Sequence, residues 1–271
     1  MAKITDNERI QFNRKISPYR KAIEVILREE QEARVLIKKQ GPDSAFKRLD
    51  LSDAMLNLSS NYLVISGIYQ SMQNIKNEDA LNEARKALYK SVIYLEEVVS
   101  NAVDAPFSDY EERLKAIASV SPAERYFFIR KMGLTLQLIK NAYGDNTKWK
   151  WAFVELEGRY AAAAKNIVNL RMAKSNSDPR SPHYEPTILH LRLVRNLLMQ
   201  AANRYREKYE LSTNRIDDFK KGISFLSALR RFNLLTDAQL DAATVKKRLD
   251  IWTNKLTADI NNLELLSITK G

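Results

Sequence analysis

The chain has 271 residues, with 44 Lys and Arg against 33 Asp and Glu, and a formal net charge of +11. Its seven glycines and seven prolines amount to roughly 5% of the chain, where an average globular protein carries about 12%. Sheet-based folds need more turn residues than that, so the expected class is all-α. The absence of Cys excludes disulfides, thiolate metal ligands and cysteine nucleophiles, and two His are too few for a His-rich metal site.

Prolines and capping residues cut the chain into helices. Thr5 with Glu8 forms a capping box for a first helix, and Pro18 restarts or kinks it. That helix runs to about Lys39, where Gly41-Pro42 stops it. A second helix is expected from about Asp43 to Lys76, with a break near Asp50–Ser52. The third is expected from Asn77 to about Val103. In it Leu81, Leu88, Leu95 and Ala102 recur every seven residues, as do Ala84, Ser91 and Val98, a spacing that packs against an antiparallel neighbour. Ser108 with Glu111 and Ser121 with Glu124 are further capping boxes; the second opens a helix that ends at Tyr143-Gly144. Asp145 to about Lys174 is expected to be helical, including the Ala161–Ala164 run.

The segment 175–186 holds three of the seven prolines and is expected to be an exposed loop. Helices at about 187–211, 214–232 and 236–266 complete the chain, the last opened by Thr236 with Gln239. The expected architecture is eight to ten helices in antiparallel hairpins, as a compact bundle or a short solenoid-like stack. One helical domain over 1–271 is the primary reading, with subdivision into halves 1–106 and 121–271 as the alternative. Gly67, Gly133, Gly158 and Gly222 fall inside expected helices, which points to close helix–helix approach.

The first eight residues turn polar at once, so no signal peptide is expected. The most apolar stretches, Asn61–Ile68 and Ile188–Leu198, are interrupted by polar residues and too short for about 30 Å of hydrocarbon. The C-terminus carries no lipidation signal. A cytoplasmic protein without a membrane span is expected.

The motifs of phosphate and dinucleotide loops are missing, as are the helical zinc-protease and di-iron patterns. Neither a cofactor nor a metal is expected, no catalytic residue is assigned, and the chain is read as a non-enzyme. His183 falls in the proline-containing loop, and His190, near the edge of the apolar face beside Leu197 and Ala201, is read as a packed or edge histidine. The acidic pairs Glu29-Glu30, Glu96-Glu97, Glu111-Glu112 and Asp217-Asp218 are read as solvated faces, since adjacent helical residues point about 100° apart.

The surplus positive charge points to nucleic acid, an anionic surface or an acidic protein. Arg192, Arg195 and Arg206 fall within about 60° of one another on the helix 187–211. Lys220 and Arg231 share a stripe on the helix that follows, so the two helices together offer a basic surface. Trp149 and Trp151, two apart in Lys148-Trp149-Lys150-Trp151, cannot both face one core, and one of them is a candidate partner anchor. The partner-binding candidates are therefore Trp149, Trp151, Arg192, Arg195, Arg206, Lys220 and Arg231. The expected function is that of a helical interaction or scaffold protein, which binds an acidic protein partner through helical grooves and a basic surface. The alternative is a nucleic-acid-binding protein that uses the basic stripes of the C-terminal helices.

Overall fold

The computed structural model describes residues 6–145 and 147–268, and among these it contains ten α-helices and no strand. In chain order they are α1 (Asp6–Gln40), α2 (Ala45–Gln73), α3 (Glu78–Val98), α4 (Glu111–Lys115), α5 (Pro122–Tyr143), α6 (Lys150–Asn166), α7 (Leu170–Ser175), α8 (Tyr184–Lys208), α9 (Ile216–Leu235) and α10 (Gln239–Ile268). The fold is all-α. The chain forms two compact units. The first runs to Val99 and adds Lys115–Ser119 and Phe127–Lys148; the second comprises Ser100–Leu114, Val120–Tyr126 and the chain from Trp149 onward.

In the first unit α1 packs on α2 and α2 on α3. The heptad positions of α3 face inward: Leu81, Ala84, Leu88, Ser91, Leu95 and Val98 are all buried. Two buried serines join the hairpin. The Ser52 hydroxyl donates to the Ser91 carbonyl at 2.7 Å, and the Ser91 hydroxyl donates to the Ser52 carbonyl at 2.8 Å. Small side chains that satisfy their own polar atoms let two backbones approach closely. This seam is why α2 runs unbroken where a break near Asp50–Ser52 was expected. The part of α5 in this unit buries Ile129, Met132, Leu136, Ile139 and Tyr143. It is tied down by Lys131 to Asp53 at 2.6 Å and by the Tyr143 hydroxyl to Asn82 at 2.8 Å.

In the second unit α8 packs on α6 and α9, and α9 on α10. Two glycines allow the close approaches. A Cβ on Gly222 would lie 3.1 Å from the Ala202 carbonyl oxygen, and one on Gly158 would lie 2.8 Å from the Tyr205 ring. Gly67, in contrast, faces open space. The Ala161–Ala164 run is wholly buried, so it serves packing as well as helix propensity. Tyr209 stacks on Phe219 with ring centroids 5.0 Å apart, and Trp252 packs tilted against Phe219 at 5.8 Å.

Several boundaries match the expected ones, and others move for identifiable reasons. Ser121 and Glu124 form the reciprocal capping box: the Glu124 amide donates to the Ser121 hydroxyl at 3.2 Å, and the Ser121 amide donates to the Glu124 carboxylate at 2.7 Å. Gly41 and Gly144 adopt positive φ at the ends of α1 and α5. Thr236 does not cap α10. Its hydroxyl donates back to the Phe232 carbonyl at 2.8 Å, which closes the end of α9. The Ser108 hydroxyl turns to Asp109 at 3.2 Å instead of forming a cap with Glu111. The Thr5–Glu8 box lies outside the described residues.

Helix α1 continues through Pro18, an exposed residue. The expected helix from Asp145 to Lys174 instead begins at Lys150 and breaks after Asn166. Asn169 caps the next helix by accepting hydrogen bonds from the Arg171 and Met172 amides. In the segment 175–186, turns occupy 176–183, and α8 already begins at Tyr184. Pro186 is accommodated because the first turn of a helix needs no amide donor there. Ser177–Arg180 and Pro182 are exposed, whereas Asn176 is buried.

Candidate functional site

Helical spacing builds a groove on the first unit. On α1, Glu30, Arg34, Ile37 and Lys38 fall within about 100° of arc. On α3, Lys90, Ile93, Tyr94 and Glu97 do the same, and Arg48 joins them from α2. The groove has a volume of about 370 Å³, within the range of about 300–1,000 Å³ of ligand sites.

Its walls contain an ordered set of charges. Glu30 is 3% exposed. It accepts the Lys90 ammonium on both oxygens, at 3.0 and 2.9 Å, and the Tyr94 hydroxyl at 2.8 Å. Burial first, and then the Glu30 carboxylate, push the Tyr94 phenol well above its usual range. Arg48 donates to Glu97 at 2.9 Å and to the Gly41 carbonyl at 3.3 Å, and also reaches the Ser44 hydroxyl. The two carboxylates are thus matched by Lys90 and Arg48. Arg34 and Lys38 are exposed and make no hydrogen bond or ion pair among the described residues. The groove therefore combines paired charges, apolar ground at Ile37 and Ile93, and two surplus cations. Glu30 would not have been chosen from sequence, because it was expected on a solvated face. One member of three acidic pairs is in fact buried: Glu30, Glu96 and Asp218.

The second unit has a polar hub at the C-terminal end of α6, where helix carbonyls lack intrahelical donors. His190 Nε2 donates to the Ala164 carbonyl at 3.1 Å, and Arg125 donates to the Ile167 carbonyl at 3.0 Å. Asn166 donates to the Ser100 and Ala102 carbonyls at 2.9 and 3.0 Å. Burial pushes the His190 imidazole down to about 4, so at neutral pH it is an uncharged donor. Lys165 is 4% exposed, with its ammonium 5.1 Å from the centre of the Tyr110 ring. Burial brings it down to about 8, with Asp104 opposing and Arg231 assisting. The adjoining cavity, lined by Arg125, Thr187 and His190 among others, measures about 30 Å³, room for only one or two water molecules. His190 and Arg125 thereby close the end of α6.

Over residues 8–260 the sequence matches the profile of the TP0443 family. The chain belongs to the TP0443 family. No curated protein and no solved structure matches it.

The seven positions singled out in this TP0443-family chain do not form one free surface. Arg195 is half-buried and donates to Asn233 at 3.1 Å and to Thr236 at 2.8 Å. Arg206 pairs with Glu210 at 2.9 Å and lies 5.2 Å over the Trp252 ring. Arg231 pairs with Asp104 at 3.0 Å. Arg192 and Lys220 are exposed. Trp149 is the N-cap of α6 and Trp151 lies in its first turn, both half-buried, with the Lys150 ammonium 5.0 Å from the centre of the Trp151 ring. Among the described residues no group of acidic, His or Cys side chains could hold a metal, and no helix is long and apolar enough to cross a membrane.

The groove residues Arg34, Lys38, Lys90 and Tyr94 escaped the sequence reading. Their helical spacing is visible in the sequence, but the pairing of α1 with α3 across the intervening helix is not.

Proposed function

We propose that this chain is a non-enzymatic helical interaction protein that docks a protein partner in the groove between α1 and α3. The observation that carries the reading is the groove itself, with apolar side chains and uncommitted charge together in a concavity of ligand-binding size. At the end of α6 the hydrogen bonds of His190, Arg125 and Asn166 go to backbone carbonyls, which supports a packing role for these three side chains. The alternative, a nucleic-acid surface on α8 and α9, has weaker support. Arg195, Arg206 and Arg231 are engaged within the chain, and phosphate binding draws on a dense set of available cations.

The test is affinity recovery from native cells at moderate salt, with and without nuclease treatment. Three forms are compared: the wild type, Ile93→Asp and the triple variant Arg192→Glu/Arg195→Glu/Arg206→Glu. Circular dichroism checks that each remains helical. The partner should be lost with Ile93→Asp and retained with the triple variant. Loss with the triple variant alone would overturn the reading in favour of the C-terminal stripe. Recovery that disappears with nuclease would favour nucleic acid.

A further inference from the structure

We propose that the groove accepts an acidic amphipathic helix of the partner, carrying two carboxylates one turn apart beside an apolar anchor. This rests on the reading that the groove docks a protein. The wall charges pair off unevenly. Glu30 is satisfied by Lys90 and Tyr94, and Glu97 by Arg48. Two positive charges remain, on Arg34 and Lys38, and both lie on the α1 side of the groove. They are four residues apart on one helix, about 6 Å along its axis. Two carboxylates at the same i, i+4 spacing on a second helix match that separation. Half-buried Ile93 lines the groove from α3, with the buried core residue Ile37 at its base, so an apolar side chain has ground to bury against. An apolar face laid in a groove with charged flanks is a recurring mode of helix recognition.

The same walls disfavour a nucleic-acid strand. Lys90 and Arg48 already face carboxylates, and Glu97 lies on the rim with 47% of its side chain exposed, where it would repel a line of phosphates. Among the described residues no ring other than that of Tyr94, whose hydroxyl donates to Glu30, lines the groove, so bases have little to stack on. A volume of about 370 Å³ suits a few inserted side chains rather than a folded surface.

The experiment is selection from a randomised library of helical peptides displayed against the full chain at physiological salt. It is run in parallel on the wild type, Arg34→Glu/Lys38→Glu and Ile93→Asp. Arg34 and Lys38 are exposed, so their reversal should leave the fold intact, and circular dichroism verifies this. From the wild type, enriched peptides should carry Glu or Asp at i and i+4 with an apolar residue between. The charge-reversed variant should bind the winning peptide at least tenfold more weakly and should enrich Lys and Arg at the same two positions. Neutral, apolar winners that bind the wild type and the charge-reversed variant alike, but are lost with Ile93→Asp, would overturn the acidic-helix inference and leave the groove reading standing. Winners indifferent to all three groove positions would overturn both. Displacement of the winning peptide by a duplex or single-stranded oligonucleotide would overturn the inference in favour of a phosphate ligand.

Discussion

A single imidazole shows how burial turns a titratable group into a structural donor. His190 gives its Nε2 proton to the Ala164 carbonyl, and burial holds its folded-state value near 4, against an ordinary value of 6.5. Between those two values the unfolded chain takes up a proton that the folded chain does not. Stability contributed by this group is therefore present above pH 6.5 and is lost as pH falls toward 4, by on the order of 3 kcal/mol. In His190→Gln the amide can still donate to the carbonyl but does not titrate. The gap in unfolding free energy between wild type and variant should thus change between pH 6.5 and 4.5 and stay constant above pH 7. Parallel curves across the whole range would show that His190 is not buried as described. The packed role of His190 was legible from its place at the edge of an apolar stripe. Arg125, its companion at the helix end, was not, because a guanidinium beside Tyr126 and Phe127 reads as surface charge until the α6 carbonyls are placed against it.

At the scale of elements, the heptad in α3 and the Ser121–Glu124 box could be read directly, since both are local in sequence. Tertiary neighbours decided the other boundaries. Thr236 was diverted to the end of α9, where it also receives Arg195, and Asn166 ends α6 by donating to carbonyls more than sixty residues earlier. Helix glycines separate in the same way. Gly67 faces open space, so Gly67→Ala should stabilise by up to about 1 kcal/mol through helix propensity. Gly222 faces the Ala202 carbonyl, a backbone atom that cannot rotate away, so Gly222→Ala should destabilise by about 1–3 kcal/mol. Urea unfolding midpoints of the two variants should move in opposite directions. Movement in the same direction would contradict the close approach of α8 and α9.

For the whole molecule, composition was enough for the class: few glycines and prolines leave little but helices. It was not enough for the site, because the net charge of +11 does not say which cations are already in use. Arg195, Arg206 and Arg231 looked available on a helical wheel, yet each has an internal partner. Arg34 and Lys38 attracted no notice, yet they are the cations left over in a groove. Glu30 illustrates the difficulty, since only the position of Lys90 and Tyr94 on α3 explains why a carboxylate on α1 is buried. The central claim is that partner binding belongs to this groove and not to the C-terminal stripe. Hydrogen–deuterium exchange of the full chain, with and without the selected helical peptide, tests it most directly. The account predicts slowed exchange in 30–38 and 90–97 and no change in 192–206 or 220–231; protection of the latter segments with 30–38 unchanged would contradict it.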